Sequence, residues 1–318
     1  MSTLRAPNDL AQHEGFRRLL SVTSPLPAPR TAVAHPMSAE ALGAAREAHD
    51  EGLIRAILVG PAARLERLAA DNGIRIDDLE RVPTEHSVGS AAAAVALVRA
   101  GKADAVMKGS LHTDEFLHAV LDGATGLRTG RRASHVFVVD VPGFPRPLLV
   151  TDAVINIAPG LAEKADIAQN AIELAQRLGI ARPRVALLAP VETVNPKIPS
   201  TLDAAALCKM ADRGQITGGV LEGPLAFDSA IDAESARIKG IDSPVGGAAD
   251  ILLAPDLDSG NILVKQLTFM MKADAAGIVL GTRVPVVLTS RADSRYTRLA
   301  SCALARLLAA RAARPPAG

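Results

Sequence analysis

Thr289, Ser290, Arg291, Asp293 and Ser294 follow directly on the apolar run Val284-Pro285-Val286-Val287-Leu288, which gathers hydroxyls, a guanidinium and a carboxylate at one chain position. A buried parallel strand that stops at a helix beginning near Ala292 would turn the helix's backbone N–H groups toward this cluster. The chemistry implied is anion binding. Arg291 can grip a phosphate through two parallel N–H donors, Thr289 and Ser290 add neutral hydrogen bonds, and Asp293 is either the helix cap or a base. A plain N-cap followed by a surface arginine is the competing reading of this segment taken alone.

A second cluster repeats the pattern in Val106-Met107-Lys108-Gly109-Ser110-Leu111-His112-Thr113. Lys108 offers a point charge, Gly109 admits a close backbone approach, and Ser110 or Thr113 can cap the next helix. Lys108 as a solvated strand-end lysine and His112 as a satisfied first-turn residue stay open beside that reading. In a third cluster, Pro255 to Lys265, Asp256 and Asp258 resemble metal ligands, but no third ligand follows at a usable spacing, and acidic residues favour a helix start for dipole reasons alone. Capping therefore leads there, with Ser259 expected as the cap. A fourth, Leu221 to Asp228, reads equally as a pocket wall or an ordinary loop. No Gly-x-Gly-x-x-Gly, Walker-type Gly-Lys-Ser/Thr, His-Glu-x-x-His or Gly-x-Ser-x-Gly motif occurs.

The elements that would carry these clusters alternate strand and helix, which argues for an α/β fold with mostly parallel sheets. Strands are expected at Thr31 to Ala34, Ala56 to Val59, Ala105 to Met107, Val185 to Leu188, Ile251 to Ala254 and Gly277 to Leu280, and helices at Gly89 to Arg99, His112 to Leu121, Leu161 to Leu178 and Ala292 to Arg311. His135 to Val141 and Leu148 to Thr151, joined through Pro142-Gly143-Phe144-Pro145, read as a hairpin. Gly123, Gly126 and Gly130 interrupt the rhythm, and the division expected is a discontinuous first domain of 1–125 with 277–318 and a second of 126–276.

With 318 residues, 48% hydrophobic, 22% charged, no Trp, one Tyr and a net charge of +1, the chain has an aliphatic core and neither the field nor the stacking platforms that nucleic-acid binding uses. Cys208 and Cys302 give no disulfide framework and no metal spacing. The amino terminus has no signal-peptide run and no stretch reaches membrane-span length, so a cytoplasmic protein without nucleic-acid or membrane partners is expected.

Seven separated segments, in order, resemble the phosphate acetyltransferase/phosphate butyryltransferase family, more closely its butyryltransferase-like branch. They are Met107-Lys108-Gly109 with Leu111-His112-Thr113, Gly126 to Gly130, Val194-Asn195-Pro196-Lys197, Thr201 to Leu207, Gly223-Pro224-Leu225-Ala226, Pro255-Asp256 with Gly260-Asn261-Ile262, and Thr289 to Ser294. The resemblance implies two three-layer α/β/α domains flanking a cleft, an architecture shared with isocitrate and isopropylmalate dehydrogenases, and a homodimer or larger homo-oligomer. It implies reversible transfer of a short acyl group between coenzyme A and inorganic phosphate, with no metal, no cofactor and no covalent acyl-enzyme, acyl-CoA and phosphate or acyl phosphate being the substrates.

By matching motif, Ser290 would hydrogen-bond the thioester carbonyl and Arg291 would bind phosphate. The resemblance further implies substrate contacts from Lys108, Gly109, Ser110, His112, Arg128, Asn261 and Thr289. Acetyl-specific relatives place the thiol base six residues after that arginine. Thr297 stands there in this chain, which leaves Asp293 as the candidate base. Their substrate-binding arginines have no counterpart around Leu117 and His118, which leaves Lys108 and Arg128 to supply the charge. Two rival classes remain: a catalytically silent coenzyme A or acyl-phosphate sensor, which Thr297 permits, and a metal- and NAD(P)-dependent dehydrogenase, for which no carboxylate triad is visible.

Overall fold

The computed structural model describes residues 14–289 and 293–312. The chain forms two compact units, Met1–Gly130 with Ala276–Gly318, and Arg131–Ala275.

In the first unit, apolar runs that end at glycine, proline or a charge become strands, and the alanine-rich stretches between them become helices. In chain order these are α1 (Glu14–Thr23), β1 (Arg30–Ala34), α2 (Ala39–Asp50), β2 (Arg55–Gly60), α3 (Ala62–Asp71), β3 (Glu80–Pro83), α4 (Ser87–Arg99), β4 (Ala105–Lys108) and α5 (Thr113–Val120). The second unit follows with β5 (Ser134–Asp140), β6 (Leu148–Thr151), α6 (Leu161–Arg177), β7 (Arg184–Leu188), α7 (Pro199–Asp212), β8 (Val220–Leu225), α8 (Phe227–Ile231), α9 (Ala233–Ile238), β9 (Ile251–Leu253) and α10 (Leu257–Lys265), extended by a π-helical turn, Gln266–Met270. The chain then returns through β10 (Asp274–Leu280), β11 (Val286–Val287) and α11 (Arg295–Ala312).

Strands of the first unit lie in the order β3-β2-β1-β4-β11-β10, parallel except where β11 meets β10. Those of the second lie in the order β5-β6-β9-β7-β8, parallel except for the β5–β6 hairpin. Alternation along β5 shows the layering. The Ser134 hydroxyl accepts from Asn170 of α6 at 2.9 Å, while Val139 faces the other way into a core shared with Val150, Leu252, Ala230 of α8 and Val264 of α10. Helices thus cover both faces of a mostly parallel sheet. Among the described residues no helix is long and apolar enough to cross a membrane.

Both units use one device at the amino ends of paired strands. The Arg30 backbone N–H and Nε donate to one carboxylate oxygen of Asp104 at 3.0 Å each, and its terminal nitrogen to the other at 2.8 Å. Arg184 repeats the three bonds on Asp250 at 2.9, 2.9 and 2.8 Å. Each pair joins neighbouring parallel strands, β1 with β4 and β7 with β9. Arg30 holds the Asp104 carboxyl below the usual carboxylate range.

Several local expectations need correction. The strand Val284–Leu288 contracts to Val286–Val287, and it is parallel to β4 but antiparallel to β10. α11 starts at Arg295 rather than near Ala292, and its cap is Ser294, whose hydroxyl accepts the Thr297 N–H at 3.1 Å. α10 is capped by Asp256, not Ser259: the aspartate accepts the Ser259 N–H at 2.8 Å and the Ser259 hydroxyl at 2.7 Å, so the serine stands inside the first turn as the capped residue. Leu221–Asp228 is no loop but the edge strand β8 running into α8. Gly126–Gly130 lies in the first unit, where the Leu127 N–H donates to Val120 at 2.7 Å and the Leu127 carbonyl accepts from Arg283 at 2.9 Å.

Candidate active site

Parallel pairing of β1 with β4 (Ala34 opposite Lys108) and of β4 with β11 (Met107 opposite Val287) brings three carboxyl-terminal strand ends side by side. Open α/β sheets bind their ligands at such an edge. Here the edge holds a small cavity of about 20 Å³, lined by Ser38, Glu40, Ala41, Ala44, Met107, Lys108, Gly109, Ser110, Thr289 and Arg298. Lys108, Gly109, Ser110 and Thr289, predicted from the sequence, are therefore brought together.

Lys108 and Thr289 are buried, 6% and 7% exposed. The Lys108 ammonium donates to the Gly109 and Leu111 carbonyls at 3.2 Å, a partial neutralisation that keeps a cation under the loop. Gly109 has no alternative. A Cβ there would stand 2.4 Å from the Ala34 carbonyl oxygen and 2.7 Å from His35, because the Gly109 N–H bonds Ala34 and the Ser110 N–H bonds His35, both at 2.9 Å. His35 itself sits at φ 54°, a left-handed turn between the strand end and α2. Its imidazole meets the Ser90 hydroxyl at 3.1 Å, and Ser90 in turn meets Thr84 at 2.7 Å.

His112 is exposed and occupies the cap position of α5 without a side-chain capping bond, so neither Ser110 nor Thr113 takes that role. Arg128 uses its Nε on the Leu121 carbonyl, with its backbone bridging to Thr282, and does not line the cavity. Asn261 belongs to the second unit, where its side-chain amide donates to the Ala153 carbonyl at 3.0 Å and ties α10 to the chain after β6. Ser290 and Arg291 lie outside the described residues. Asp293 is half-buried, and its carbonyl accepts from Arg298 at 2.8 Å; capping falls to its neighbour Ser294.

Three polar or charged lining residues are not among the predicted site residues: Ser38, Glu40 and Arg298. Ser38 caps α2, its hydroxyl accepting the Ala41 N–H at 3.2 Å. The Glu40 carboxyl is held below its ordinary range, first by its own backbone N–H, then by Ser38 and by the charge of Arg298. A helix-capping serine two residues ahead of a glutamate is the signal that could have found the first two. Arg298 has no local signal, since only the start of α11 decides which way it faces.

The second unit carries a different cavity, about 680 Å³, with no charged side chain among its lining residues. Val141, Phe144, Leu148, Leu188, Phe227 and Leu263 form its walls, and Met270 and Met271 stand at its rim, 73% and 53% exposed. At the other end of β5, His135 is fully buried against Phe137, its two ring nitrogens without partners, and burial pushes it down to about 3. Among the described residues no group of three or more His, Cys, Asp or Glu side chains is placed to hold a metal ion.

The sequence profile of the phosphate acetyl/butaryl transferase family matches residues 84–306. A phosphate acetyltransferase of Rhizobium meliloti is 59% identical over 301 residues, 95% of each chain. A phosphate butyryltransferase of Clostridium acetobutylicum is 46% identical over 280 residues, 88% of this chain and 93% of that one. Among solved structures, a branched-chain phosphotransacylase from Enterococcus faecalis V583 superposes with a TM-score of 0.76 at 32% identity, covering 87% of this chain and 98% of that one.

Proposed function

From the premise that this chain belongs to the phosphate acetyl/butaryl transferase family, and so is an acyltransferase moving a short acyl group reversibly between coenzyme A and inorganic phosphate, we propose how its residues do so. The observation that carries the reading is the juxtaposition of Lys108 and Thr289 in one cavity at parallel strand ends.

Phosphate attacks the thioester carbonyl, the carbonyl oxygen becomes an oxyanion in the tetrahedral state, and coenzyme A leaves as thiolate. Lys108 supplies positive charge to the phosphate, and Thr289 supplies a neutral hydroxyl donor. Ser290 and Arg291, by matching motif, take the carbonyl oxygen and the phosphate. In the reverse direction the thiol must lose a proton, and Asp293, three residues beyond Ser290, is the base. Acyl-CoA, coenzyme A, phosphate and acyl phosphate are substrates, and the chemistry needs neither cofactor nor metal.

The same reading makes the protein a cytoplasmic homodimer. Ile157, Ile238, Ile262, Phe269, Met270 and Met271 of the second unit are each more than half exposed, and apolar surface of that extent favours coverage by another copy.

The test is acyl phosphate formation from acetyl-, propionyl- and butyryl-CoA with phosphate, in the presence of a chelator. Product is expected from at least one of them. No product from any supports a silent sensor, and an absolute metal requirement refutes the metal-free mechanism. Asp293→Asn should lose about 10²–10⁴-fold in acyl-CoA formation with the fold intact; a variant within a few-fold of wild type at every pH removes Asp293 as base.

A further inference from the structure

Arg298 stands in the first turn of α11, one turn beyond the cap Ser294, and lines the cavity that holds Lys108, Gly109 and Thr289. One terminal nitrogen is committed to the Asp293 carbonyl at 2.8 Å, which fixes the direction of the planar guanidinium. The Nε of the same group is buried and has no hydrogen-bond partner. A buried cationic donor without an acceptor is costly, and native structures seldom keep one unless a ligand supplies the missing oxygen.

The charges around it point to what that ligand is. Among the described lining residues Lys108 and Arg298 are cations and Glu40 is the carboxylate, and Glu40 already accepts from its own backbone N–H and from Ser38. A net positive cavity of about 20 Å³ has room for one oxygen-sized group at its base. An anionic oxygen supplies the acceptor that the Arg298 Nε lacks, and the net positive charge of the lining favours it over water.

We propose that Arg298 binds a phosphoryl oxyanion in this cavity, sharing it with Lys108. The inference rests on the acyl-transfer reading and adds to it a cation outside the Ser290-Arg291 motif. Two sources carry that chemistry, the inorganic phosphate that becomes acyl phosphate and the phosphates of coenzyme A. Direct contact with the cavity at the strand end favours inorganic phosphate.

The test uses the full chain with Arg298→Gln and Arg298→Lys. KM is measured for phosphate at saturating acyl-CoA and for acyl-CoA at saturating phosphate, and the rise in Tm caused by inorganic phosphate is measured at constant ionic strength. Arg298→Gln should raise KM for phosphate roughly ten- to a hundredfold, the span of a charge-assisted hydrogen bond, leave KM for acyl-CoA unchanged and shrink the phosphate-induced rise in Tm. Arg298→Lys, which keeps the charge and loses the fork, should fall between; it also serves should the glutamine variant fold poorly. An increase confined to KM for acyl-CoA supports the oxyanion site and names coenzyme A as its source. A fall in kcat with both KM values and the Tm response unchanged overturns the proposal and leaves Arg298 as a brace for the Asp293 turn. If wild type makes no acyl phosphate, the acyl-transfer reading has failed on its own, and the Tm response of wild type against the variants still decides whether Arg298 binds phosphate.

Discussion

The two units share a sheet-and-helix plan and the same arginine–aspartate clamp, yet their cavities are opposites. The first holds about 20 Å³ among Lys108, Glu40 and Arg298; the second holds about 680 Å³ with no charge in its lining. Charged side chains in a small space recognise one small anion by direction and distance, and tolerate little displacement. A wide apolar trough recognises by area and tolerates much. The contrast divides the labour proposed above, chemistry in one unit and association in the other, and each half can be tested against its counterpart.

The largest effect is expected from matched glycines. In Gly109→Ala the new Cβ would lie 2.4 Å from the Ala34 carbonyl oxygen, and in Gly260→Ala it would lie 2.5 Å from the Asp152 carbonyl oxygen. Both force backbone to move, but only the first moves the lysine loop. Gly109→Ala should cut turnover by about 100-fold or more, as expected for a displacement near 1 Å at a reacting centre, with native circular dichroism. Gly260→Ala should instead lower unfolding free energy by about 1–3 kcal/mol and leave KM for phosphate alone. Equal kinetic damage from both would dissolve the contrast.

Next in size is association. Met270→Asp puts a charge at the rim of the apolar trough and should weaken self-association by about 2 kcal/mol or more, read as a shift toward monomer in sedimentation experiments. Per-subunit chemistry in the first unit should survive. Unchanged sedimentation would remove this face from the interface.

The smallest effect concerns acid. The second unit's interior keeps His135 neutral, with a folded pKa of about 3 against about 6.5 for an unperturbed imidazole. Between these values the unfolded chain binds the extra proton, so stability is full above about pH 6.5 and declines as pH falls, by about 1.4 kcal/mol per pH unit from this residue. His135→Leu should flatten that slope in urea unfolding from pH 7.5 to 5.5. Parallel profiles for the two proteins would show that His135 finds a proton-compatible setting in the fold.

What the sequence disclosed follows from where information is local. β1, β2, β4 and the β5–β6 hairpin are apolar runs closed by glycine, proline or charge, and each is found at its predicted place. β3, Glu80–Pro83, is an edge strand with polar residues and a proline, and β8 contains Gly223-Pro224; both owe their state to a neighbouring strand rather than to their own pattern. The site divides in the same way. Lys108, Gly109 and Thr289 are legible because they end strands. Arg298 depends on the rotation of a helix whose first residue lies three positions later than the pattern implied, and Asn261 and Arg128, drawn from motif alone, spend their side chains on backbone carbonyls.

The clamp between Arg30 and Asp104 acts as the zero of a ruler. Lys108 follows Asp104 by four residues, about 13 Å along a parallel strand, with no turn or insertion between them. The height of the ammonium above the sheet is therefore inherited from an ion pair at the opposite edge, far from any substrate. A variant that loosens Arg30 would let the strand slide while leaving every residue of the cavity in place by name, and its defect would look chemical although its cause is mechanical.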